Sequence, residues 1–400
     1  MSTRTALTVD VLVIGARCAG AATAMLLARH GLSVLMADRG GYGTDTLSTH
    51  ALMRGGVLQL HRWGLLERVR AMNTPAVRRT EFHYDEEVLD IEIAPAHGTD
   101  ALYSPRRMVL DSILVDAAQE AGVQVRHHHT LTALMRNGNG RVTGGILRDE
   151  EGREVAVTAG LVVGADGIGS AVARLAGAPV EVKARHASAV IYGYFTGLSG
   201  DAYRWFYRPN VSAGVIPTTA GRACVFASMP PGRFKGMMRD GAAAGFNAVV
   251  AESAPDLPAE MAAKGARLEG RLLAFTGRKG FLRRAHGPGW ALVGDAGYFK
   301  DPLTAHGITD AFRDSELLAN AAAAGTDAAL AEYQAVRDTL SRPLFEVTDA
   351  VASFDWTVPE LKALHIGLNK AMKAEVAHML TWPDVPKARH LRPSITPVPA

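Results

Sequence analysis

Two glycines and an aspartate near the start of the chain have a spacing that suits an anionic ligand. Gly15 and Gly20 bound the segment Gly15-Ala16-Arg17-Cys18-Ala19-Gly20, and Asp38 follows 18 residues after Gly20. The free N–H groups and the dipole at a helix N-terminus bind a pyrophosphate, and an acidic side chain at this distance accepts hydrogen bonds from an adenosine ribose. Arg17 replaces the middle glycine of the G-x-G-x-x-G pattern, so an ordinary strand–turn–helix is the alternative.

The elements around this turn form a βαβ unit. Val9 to Ile14 is a nearly continuous apolar run, which is typical of a parallel strand buried on both faces. Ala21 to His30 is rich in Ala and Leu and predicts a helix, which Gly31 ends. Ser33 to Ala37 predicts the second strand. The glycine-rich loop that begins at Arg39 is expected to approach the same ligand.

Composition limits the classes of function. The chain has 400 residues, enough for two or three domains, with 48% hydrophobic and 21% charged residues, as in soluble globular proteins. Its formal net charge of +3 gives no case for a nucleic-acid partner. We find no apolar run as long as an integral membrane segment and no signal-peptide core. The two cysteines indicate neither a disulfide framework nor structural zinc, and a cytoplasmic enzyme is expected.

Helix and strand signals alternate along the rest of the chain. Asn137-Gly138-Asn139-Gly140 predicts a hairpin turn, and residues 187–228 predict several antiparallel strands rich in aromatic side chains. Helices are expected near residues 327–340, 343–356 and 359–380. The predicted fold class is therefore α/β, with a Rossmann-like parallel sheet, a middle antiparallel sheet and C-terminal helices.

Two later motifs extend the argument. The apolar strand Leu161-Val162-Val163-Gly164-Ala165 ends in Asp166-Gly167, and Trp290-Ala291-Leu292-Val293 ends in Gly294-Asp295. The segment Asp301-Pro302-Leu303-Thr304-Ala305-His306-Gly307 follows the second of these. With the first turn, these motifs resemble the superfamily of FAD-dependent monooxygenases with the para-hydroxybenzoate hydroxylase fold, over about residues 9–320. That superfamily includes aromatic hydroxylases, geranylgeranyl-reductase-like enzymes and flavin-dependent halogenases.

The resemblance implies an FAD site that draws on all three motifs. Asp38 would bind the adenosine ribose and Asp295 the ribitol, whereas Asp166 would support the cofactor. Arg107, at the start of a predicted helix, matches an arginine near the flavin and its phosphates. The implied cofactor-binding residues are Gly15, Ala16, Arg17, Cys18, Ala19, Gly20, Asp38, Arg39, Arg107, Asp166, Gly294, Asp295, Pro302, Gly307 and Ile308.

A helix start beneath the flavin ring has a chemical reason. Two-electron reduction of flavin leaves negative charge near N1 and the C2 carbonyl, and the backbone N–H groups of Gly307 and Ile308 would stabilise that charge. His306 is the catalytic candidate, because histidine titrates near neutrality and this loop faces the ligand. A histidine packed against the loop backbone is the alternative.

Other side chains keep two interpretations each. Arg17 either contacts the pyrophosphate or points to solvent. Cys18 either has a lowered pKa at its helix N-terminus or fills a small buried space. Tyr192 and Tyr194 share one strand face and are the substrate-binding candidates. No metal site is expected, because the side chains of His127-His128-His129 would alternate between the faces of a strand.

The resemblance leaves several reactions open. An NAD(P)H-dependent monooxygenase would use O2 to form a flavin C4a-hydroperoxide and transfer one oxygen to a small apolar or aromatic, natural-product-like substrate. A flavin-dependent C=C reductase or dehydrogenase of the geranylgeranyl-reductase-like type is the alternative. A halogenase is disfavoured, because the chain has no lysine before Lys183 and keeps only Ile216-Pro217 of the tryptophan-rich halogenase element. A non-catalytic flavoprotein is the remaining class.

The resemblance also predicts a discontinuous domain organisation. An FAD-binding domain is expected from residues 1–75, 100–180 and 285–325, and a substrate domain from residues 76–99 and 181–284. Residues 326–382 would form C-terminal helices, and residues 383–400 a flexible tail. The expected cofactors are FAD and NADPH or NADH as reductant. A small-molecule substrate and O2 are the expected partners of a monomer or homodimer.

Overall fold

The computed structural model describes residues 5–386. The first part of the chain forms β1 (Thr5–Ile14), α1 (Cys18–Arg29), β2 (Val34–Ala37), α2 (Arg54–Arg62), α3 (Leu66–Ala71), β3 (Arg79–Tyr84), β4 (Glu87–Glu92), α4 (Arg107–Glu120), β5 (Gln124–Arg126), β6 (Thr130–Arg136), β7 (Val142–Arg148), β8 (Glu154–Gly164) and α5 (Ala171–Ala176). The middle part forms β9 (Val180–Lys183), β10 (Ala189–Thr196), β11 (Ala202–Arg208), β12 (Val211–Thr218), β13 (Arg222–Met229), α6 (Pro231–Met237), α7 (Ala242–Ser253), α8 (Leu257–Ala263), β14 (Arg267–Phe275) and β15 (Phe281–Arg283). The last part forms β16 (His286–Gly287), β17 (Trp290–Leu292), β18 (Tyr298–Phe299), α9 (Gly307–Ala324), α10 (Asp327–Val351) and α11 (Val358–Met379).

Eight strands form a sheet whose central part is parallel. Its order is β16-β17-β8-β1-β2-β5, and the β6–β7 hairpin joins it through β8. β1 runs parallel to β2 and to β8, with Ile14 opposite both Ala37 and Gly164. Because the carboxyl ends of these strands coincide, the turns that follow them meet at one edge of the sheet. The α/β fold class predicted from the sequence is confirmed.

Seven strands form a second, mostly antiparallel sheet. Its order is β14-β10-β13-β12-β11-β3-β4, and only its β11–β3 pair is parallel. Tyr192 and Tyr194 on β10 lie in the core shared with the first sheet, whereas Phe195 faces the opposite core, where its ring stacks on Phe246 of α7. A small third sheet has the order β18-β15-β9. The domain boundaries drawn from the sequence stay a prediction.

The C-terminal helices differ from the sequence prediction. α10 continues through Pro343, so the described residues contain two long helices, α10 and α11, in place of the expected three. Proline removes one helical hydrogen bond and crowds the preceding turn. The side chains of Ser341, Leu344 and Phe345 are buried around it, and their packing offsets that cost. Of the predicted flexible tail, residues 387–400 lie outside the described residues.

Helix α1 lies against the turn before it because two glycines have no side chain. A Cβ at Gly20 would lie 1.8 Å from the carbonyl oxygen of Gly15, and a Cβ at Gly15 would lie 2.4 Å from that of Ala165. Gly294 has φ 57°, and a Cβ there would lie 2.8 Å from the Cβ of Ala19. The three strand-ending turns therefore approach α1 more closely than side chains would allow.

Two glycines within helices give a matched test of the close contact between α1 and the turns. Alanine is favoured over glycine in a helix by about 0.5–1 kcal/mol, so Gly367→Ala in α11, where the nearest atom to a new Cβ is 3.9 Å away, should stabilise the protein by that amount. Gly20→Ala should instead destabilise it by about 1–3 kcal/mol, because the new Cβ overlaps a backbone oxygen. Urea unfolding of both variants checks this pair. A Gly20→Ala variant as stable as Gly367→Ala would contradict the packing.

Candidate functional site

The N-terminus of α1 is open to a ligand. Arg17 is the N-cap residue but makes no side-chain cap, and the first helical hydrogen bond runs from the N–H of Ala21 to the carbonyl of Arg17 (2.8 Å). The N–H groups of Cys18, Ala19 and Gly20 therefore have no partner within the helix. Three free donors at the positive end of a helix dipole suit a pyrophosphate.

An open cleft lies beside this helix end. Its lining residues are Ala16, Arg17, Asp38, Gly41, Tyr42, Gly43, Thr44, Asp111, Val115 and His127. Asp38 accepts hydrogen bonds from the N–H groups of Ala16 (2.6 Å) and Gly40 (2.7 Å). The rings of Tyr42 and His127 lie 6.0 Å apart, and Nδ1 of His127 is buried without a hydrogen-bond partner among the described residues. A carboxylate, two rings and a free ring nitrogen suit a nucleoside.

Asp111 joins several of the predicted site residues behind the turn. Nε and Nη2 of Arg107 each donate to its carboxylate at 3.2 Å, and Sγ of Cys18 donates to it at 3.1 Å. Arg17 lies 3.7 Å from the same carboxylate, and Arg39 is exposed. Burial raises the pKa of the Cys18 thiol well above its usual value. The lowered pKa considered for Cys18 is therefore wrong, and a small buried side chain is the role that fits.

The aspartates that follow β8 and β17 differ in their surroundings. Asp166 accepts a hydrogen bond from the N–H of Ala171 (2.6 Å), which caps the start of α5. Asp295 lies in a 3-10 helix, Gly294–Ala296, and is partly exposed. Burial raises the pKa of Asp295 to about 6, against the opposing charge of Arg107. Asp166 thus has a local structural role, whereas Asp295 can accept hydrogen bonds from a ligand.

The turn between β18 and α9 is tied to the second sheet. Asp301 accepts hydrogen bonds from the backbone N–H and the hydroxyl of Ser188, both at 2.6 Å, at the start of β10. The same carboxylate accepts from the N–H of Leu303 (3.0 Å) and so caps a 3-10 helix at Pro302–Thr304. One buried side chain therefore sets the position of the turn relative to the tyrosine-bearing strand.

The N-terminus of α9 is a second open helix end. Ala305 has φ 50°, a left-handed conformation that is uncommon for a residue with a side chain, and the helix begins only after it, at Gly307. His306 is the N-cap residue and makes no side-chain cap. The N–H groups of Gly307 and Ile308 have no partner within the helix, and a Cβ at Gly307 would meet no atom within 4 Å. This end has free donors and space beside them.

Tyr192 and Tyr194 contact the loop that precedes α2. The hydroxyl of Tyr192 accepts a hydrogen bond from the N–H of Ser48 (3.0 Å), and that of Tyr194 hydrogen-bonds to Nε2 of His50. The guanidinium of Arg106 lies 4.0 Å from the centre of the Tyr194 ring. Burial lowers the pKa of His50 to about 3, so its imidazole is neutral. Sequence reasoning missed His50 and Arg106, because only the fold brings them to these tyrosines.

Charged side chains form a buried charge network beneath the start of α9. Its members are Lys300, His306, Asp310, Arg313, Asp314 and Glu375. Arg313 donates to Asp310 (3.2 Å), Asp314 (2.6 Å) and Glu375 (2.7 Å). Nε2 of His306 lies 2.6 Å from Oε2 of Glu375, and Lys300 pairs with Asp310. No signal in the sequence indicated this network, because charged residues in a helix are typical of a solvated face.

Part of this network has the geometry of a metal site. Ligand atoms of His306, Asp310 and Glu375 all lie within 4.8 Å of one another. Lys300 and Arg313 already contact the two carboxylates, and the three side chains are buried. Because these cations would repel a divalent metal, we interpret the group as an ion-pair network.

Residues 8–346 match the family model of the FAD binding domain. The chain belongs to this family. It is a member of the superfamily of FAD-dependent monooxygenases and geranylgeranyl-reductase-like enzymes, as the three motifs predicted, and it is a flavin-dependent oxidoreductase. FAD is therefore its cofactor, and the predicted family is confirmed.

Relatives of this FAD-dependent oxidoreductase carry out different reactions. It is 28% identical over 327 residues to digeranylgeranylglycerophospholipid reductase of Methanosarcina mazei. The aligned region covers 78% of the chain and 74% of that reductase. It is 26% identical over 231 residues to 2,4-dichlorophenol 6-monooxygenase of Delftia acidovorans, covering 52% of the chain but 39% of that enzyme. The structure of a geranylgeranyl bacteriochlorophyll reductase-like protein from Thermoplasma acidophilum superimposes with a TM-score of 0.72 at 20% identity, covering 93% and 96% of the two chains.

The geometry of the oxidoreductase fits FAD. The uncapped start of α1, the cleft with an unpartnered ring nitrogen and the partly exposed carboxylate of Asp295 lie where β1, β2 and β17 end. Helix α9, whose start is also uncapped, packs along α1, with the hydroxyl of Ser315 donating to the carbonyl of Ala19 (3.0 Å). In the described part of the chain, no helix combines the length and the apolar composition that crossing a membrane requires.

Replacing Asp295 tests its predicted contact with FAD. Because the folded-state pKa of about 6 exceeds the usual 3.8, this carboxylate costs the apoprotein stability as pH rises through that interval. Asp295→Asn should therefore stabilise the apoprotein above pH 6, by up to about 3 kcal/mol, and leave it unchanged below pH 4. The same variant should bind FAD at least about tenfold more weakly, because it loses charge-assisted hydrogen bonds. Unfolding curves and FAD titration measure both effects; unchanged FAD affinity would remove Asp295 from the site.

Proposed function

We propose that the enzyme is an NAD(P)H-dependent monooxygenase that transfers one oxygen atom from O2 to a small apolar or aromatic substrate. The observation that carries this proposal is the wall of aromatic side chains on the second sheet, which belongs to the same hydrophobic core as Ala305 and Ile308 at the start of α9. Its buried members are Tyr192, Tyr194, Tyr203, Trp205, Tyr207 and Phe226. Such a wall offers ring contacts and hydroxyl groups to a compact aromatic molecule and excludes water from it.

FAD supplies the redox chemistry when bound: it accepts a hydride from NAD(P)H and activates O2. We assign the pyrophosphate to the N-terminus of α1, the ribose to Asp38 and the ribitol to Asp295. The N–H groups of Gly307 and Ile308 would stabilise the negative charge that reduction places on the ring. Arg107 contributes a buried positive charge behind the phosphates.

The side chains around Tyr194 can position a substrate. His50 and Arg106 both contact this tyrosine, and Nδ1 of His50 is buried without a hydrogen-bond partner among the described residues. A polar substituent on the substrate would pair with such an atom and so orient the ring. His306 stays the catalytic candidate on the other side of the site.

We also propose that the enzyme is a monomer or homodimer in the cytoplasm and that its reductant is NADPH or NADH.

A flavin-dependent C=C reductase is the second candidate. The relative from Methanosarcina mazei supports it, because the similarity to that reductase extends over 78% of the chain. An isoprenoid substrate is a long apolar chain, whereas the face of Tyr192 and Tyr194 carries hydroxyl groups, the imidazole of His50 and the guanidinium of Arg106. For this reason we place the monooxygenase first.

Isotope labelling separates the two reactions. The holoenzyme, NADPH or NADH, and a panel of small aromatic compounds are incubated under 18O2, with catalase present to remove free peroxide. We expect a product that gains one labelled oxygen, and no product without O2. Product formation in the absence of O2, with no label gained, would contradict the monooxygenase and support the reductase.

Two tyrosines of the second sheet, one on the aromatic wall and one outside it, provide a matched test of the substrate site. Tyr194→Phe should lower kcat/KM about tenfold or more without loss of FAD, because the hydroxyl that pairs with His50 is removed. Tyr84→Phe is the control, since the hydroxyl of Tyr84 also pairs with a histidine, Nδ1 of His365 on α11 (2.6 Å), but does not contact the loop before α2. Equal kinetics for the two variants would exclude Tyr194 from substrate binding.

A further inference from the structure

Glu375 connects helix α11 to the start of α9. Its side chain is fully buried, with Oε2 2.6 Å from Nε2 of His306 and Oε1 accepting a hydrogen bond from Nη1 of Arg313 (2.7 Å). His306 is the N-cap residue of α9, and Arg313 lies two turns further along the same helix. One carboxylate, from a helix more than 60 residues later in the chain, therefore contacts α9 at its N-cap and again two turns further on.

We propose that Glu375 is a positioning residue of the FAD site, which holds His306 and thereby fixes the flavin-facing end of α9. This inference goes beyond the reaction proposed above, because it applies equally to a monooxygenase and to a reductase. It makes the C-terminal helix α11, which lies beyond the residues matched by the family model, a part of the cofactor site.

Backbone strain gives the first argument. Ala305 keeps φ 50°, and a residue in this region costs about 1 kcal/mol or more unless its surroundings hold it there. The turn is held on both sides of Ala305: Asp301 ties it to Ser188, and His306 ties it to Glu375. Loss of the second contact would release the end that carries the free N–H groups of α9.

The charge on Glu375 gives the second argument. Burial alone would raise its pKa, but the hydrogen bond with His306 and the positive charge of Arg313 hold the pKa of Glu375 well below its usual value. Burial lowers the pKa of His306, so its ring is neutral. The ionised carboxylate therefore accepts a hydrogen bond from Nε2–H of His306, which fixes the orientation of the ring. Nδ1 of His306 is then the ring nitrogen left without a partner among the described residues, and it can accept a hydrogen bond from a ligand.

Another buried glutamate, Glu316 on α9, provides the control. Glu316 is also buried and also pairs with an arginine, Arg62 (2.8 Å), and with the indole of Trp63 (2.9 Å), but it does not contact the turn. Glu375→Gln and Glu316→Gln each remove one buried charge, so both should lower the unfolding temperature. Only Glu375→Gln should weaken FAD binding about tenfold and shift the visible absorption and circular dichroism of the bound flavin.

The route through His306 is tested by a double-mutant cycle on the full-length holoprotein. In the His306→Ala background, Glu375→Gln should change FAD affinity less than twofold, because the contact with the turn is already gone and the remaining contact, with Arg313, lies two turns away from the start of α9. If Glu375→Gln does not fold, Glu375→Asp keeps the charge and shortens the side chain, and the same comparison applies. Equal FAD affinity and flavin spectra in the Glu375 and Glu316 variants, or an undiminished effect without His306, would overturn the proposal.

Discussion

The structure depends on a backbone contact that leaves no room for a Cβ atom. Gly20 in the first turn of α1 lies so close to the carbonyl of Gly15 that any side chain would overlap it. This contact brings the helix down onto the carboxyl edge of the sheet, where β8 and β17 also end. Gly294 also leaves no room for a Cβ atom, because it packs against Ala19 on the other side of α1. Helix dipole, cleft and acidic turns can share one ligand because these backbones approach each other so closely.

Beneath the start of α9, buried charged side chains are solvated by one another and not by water. Arg313 is fully buried and contacts Asp310, Asp314 and Glu375. Desolvating so many ions is expensive, and the cost is offset only where every charge has close partners. Such a network adds little to the stability of the fold, but its charged side chains can pair in few ways. We infer that the network fixes where α9 begins and how α11 packs against it.

Local sequence was a good guide to the elements and a poor guide to contacts across the fold. Apolar runs and glycine turns predicted β1, β8, β17 and the motifs behind them, because these depend on residues adjacent in the chain. The sequence predicts helices near residues 327–340 and 343–356 but not their continuity as α10, since tertiary packing outweighs the local effect of Pro343. Glu375 could not be found, because its partners His306 and Arg313 lie more than 60 residues away in the chain. A charged residue in a helix predicts a solvated surface until the fold supplies its counter-ions.

The two helix ends at which we propose that the cofactor binds, those of α1 and α9, lack a side-chain cap, so the lifetime of the protein would depend on the supply of flavin. A ligand that binds only the folded state adds about 2.7 kcal/mol of stability at one hundred times its dissociation constant. A cell short of FAD would hold more of this chain in unfolded forms, which proteases remove. The amount of enzyme would then follow the vitamin from which the cofactor is made, without any dedicated regulator.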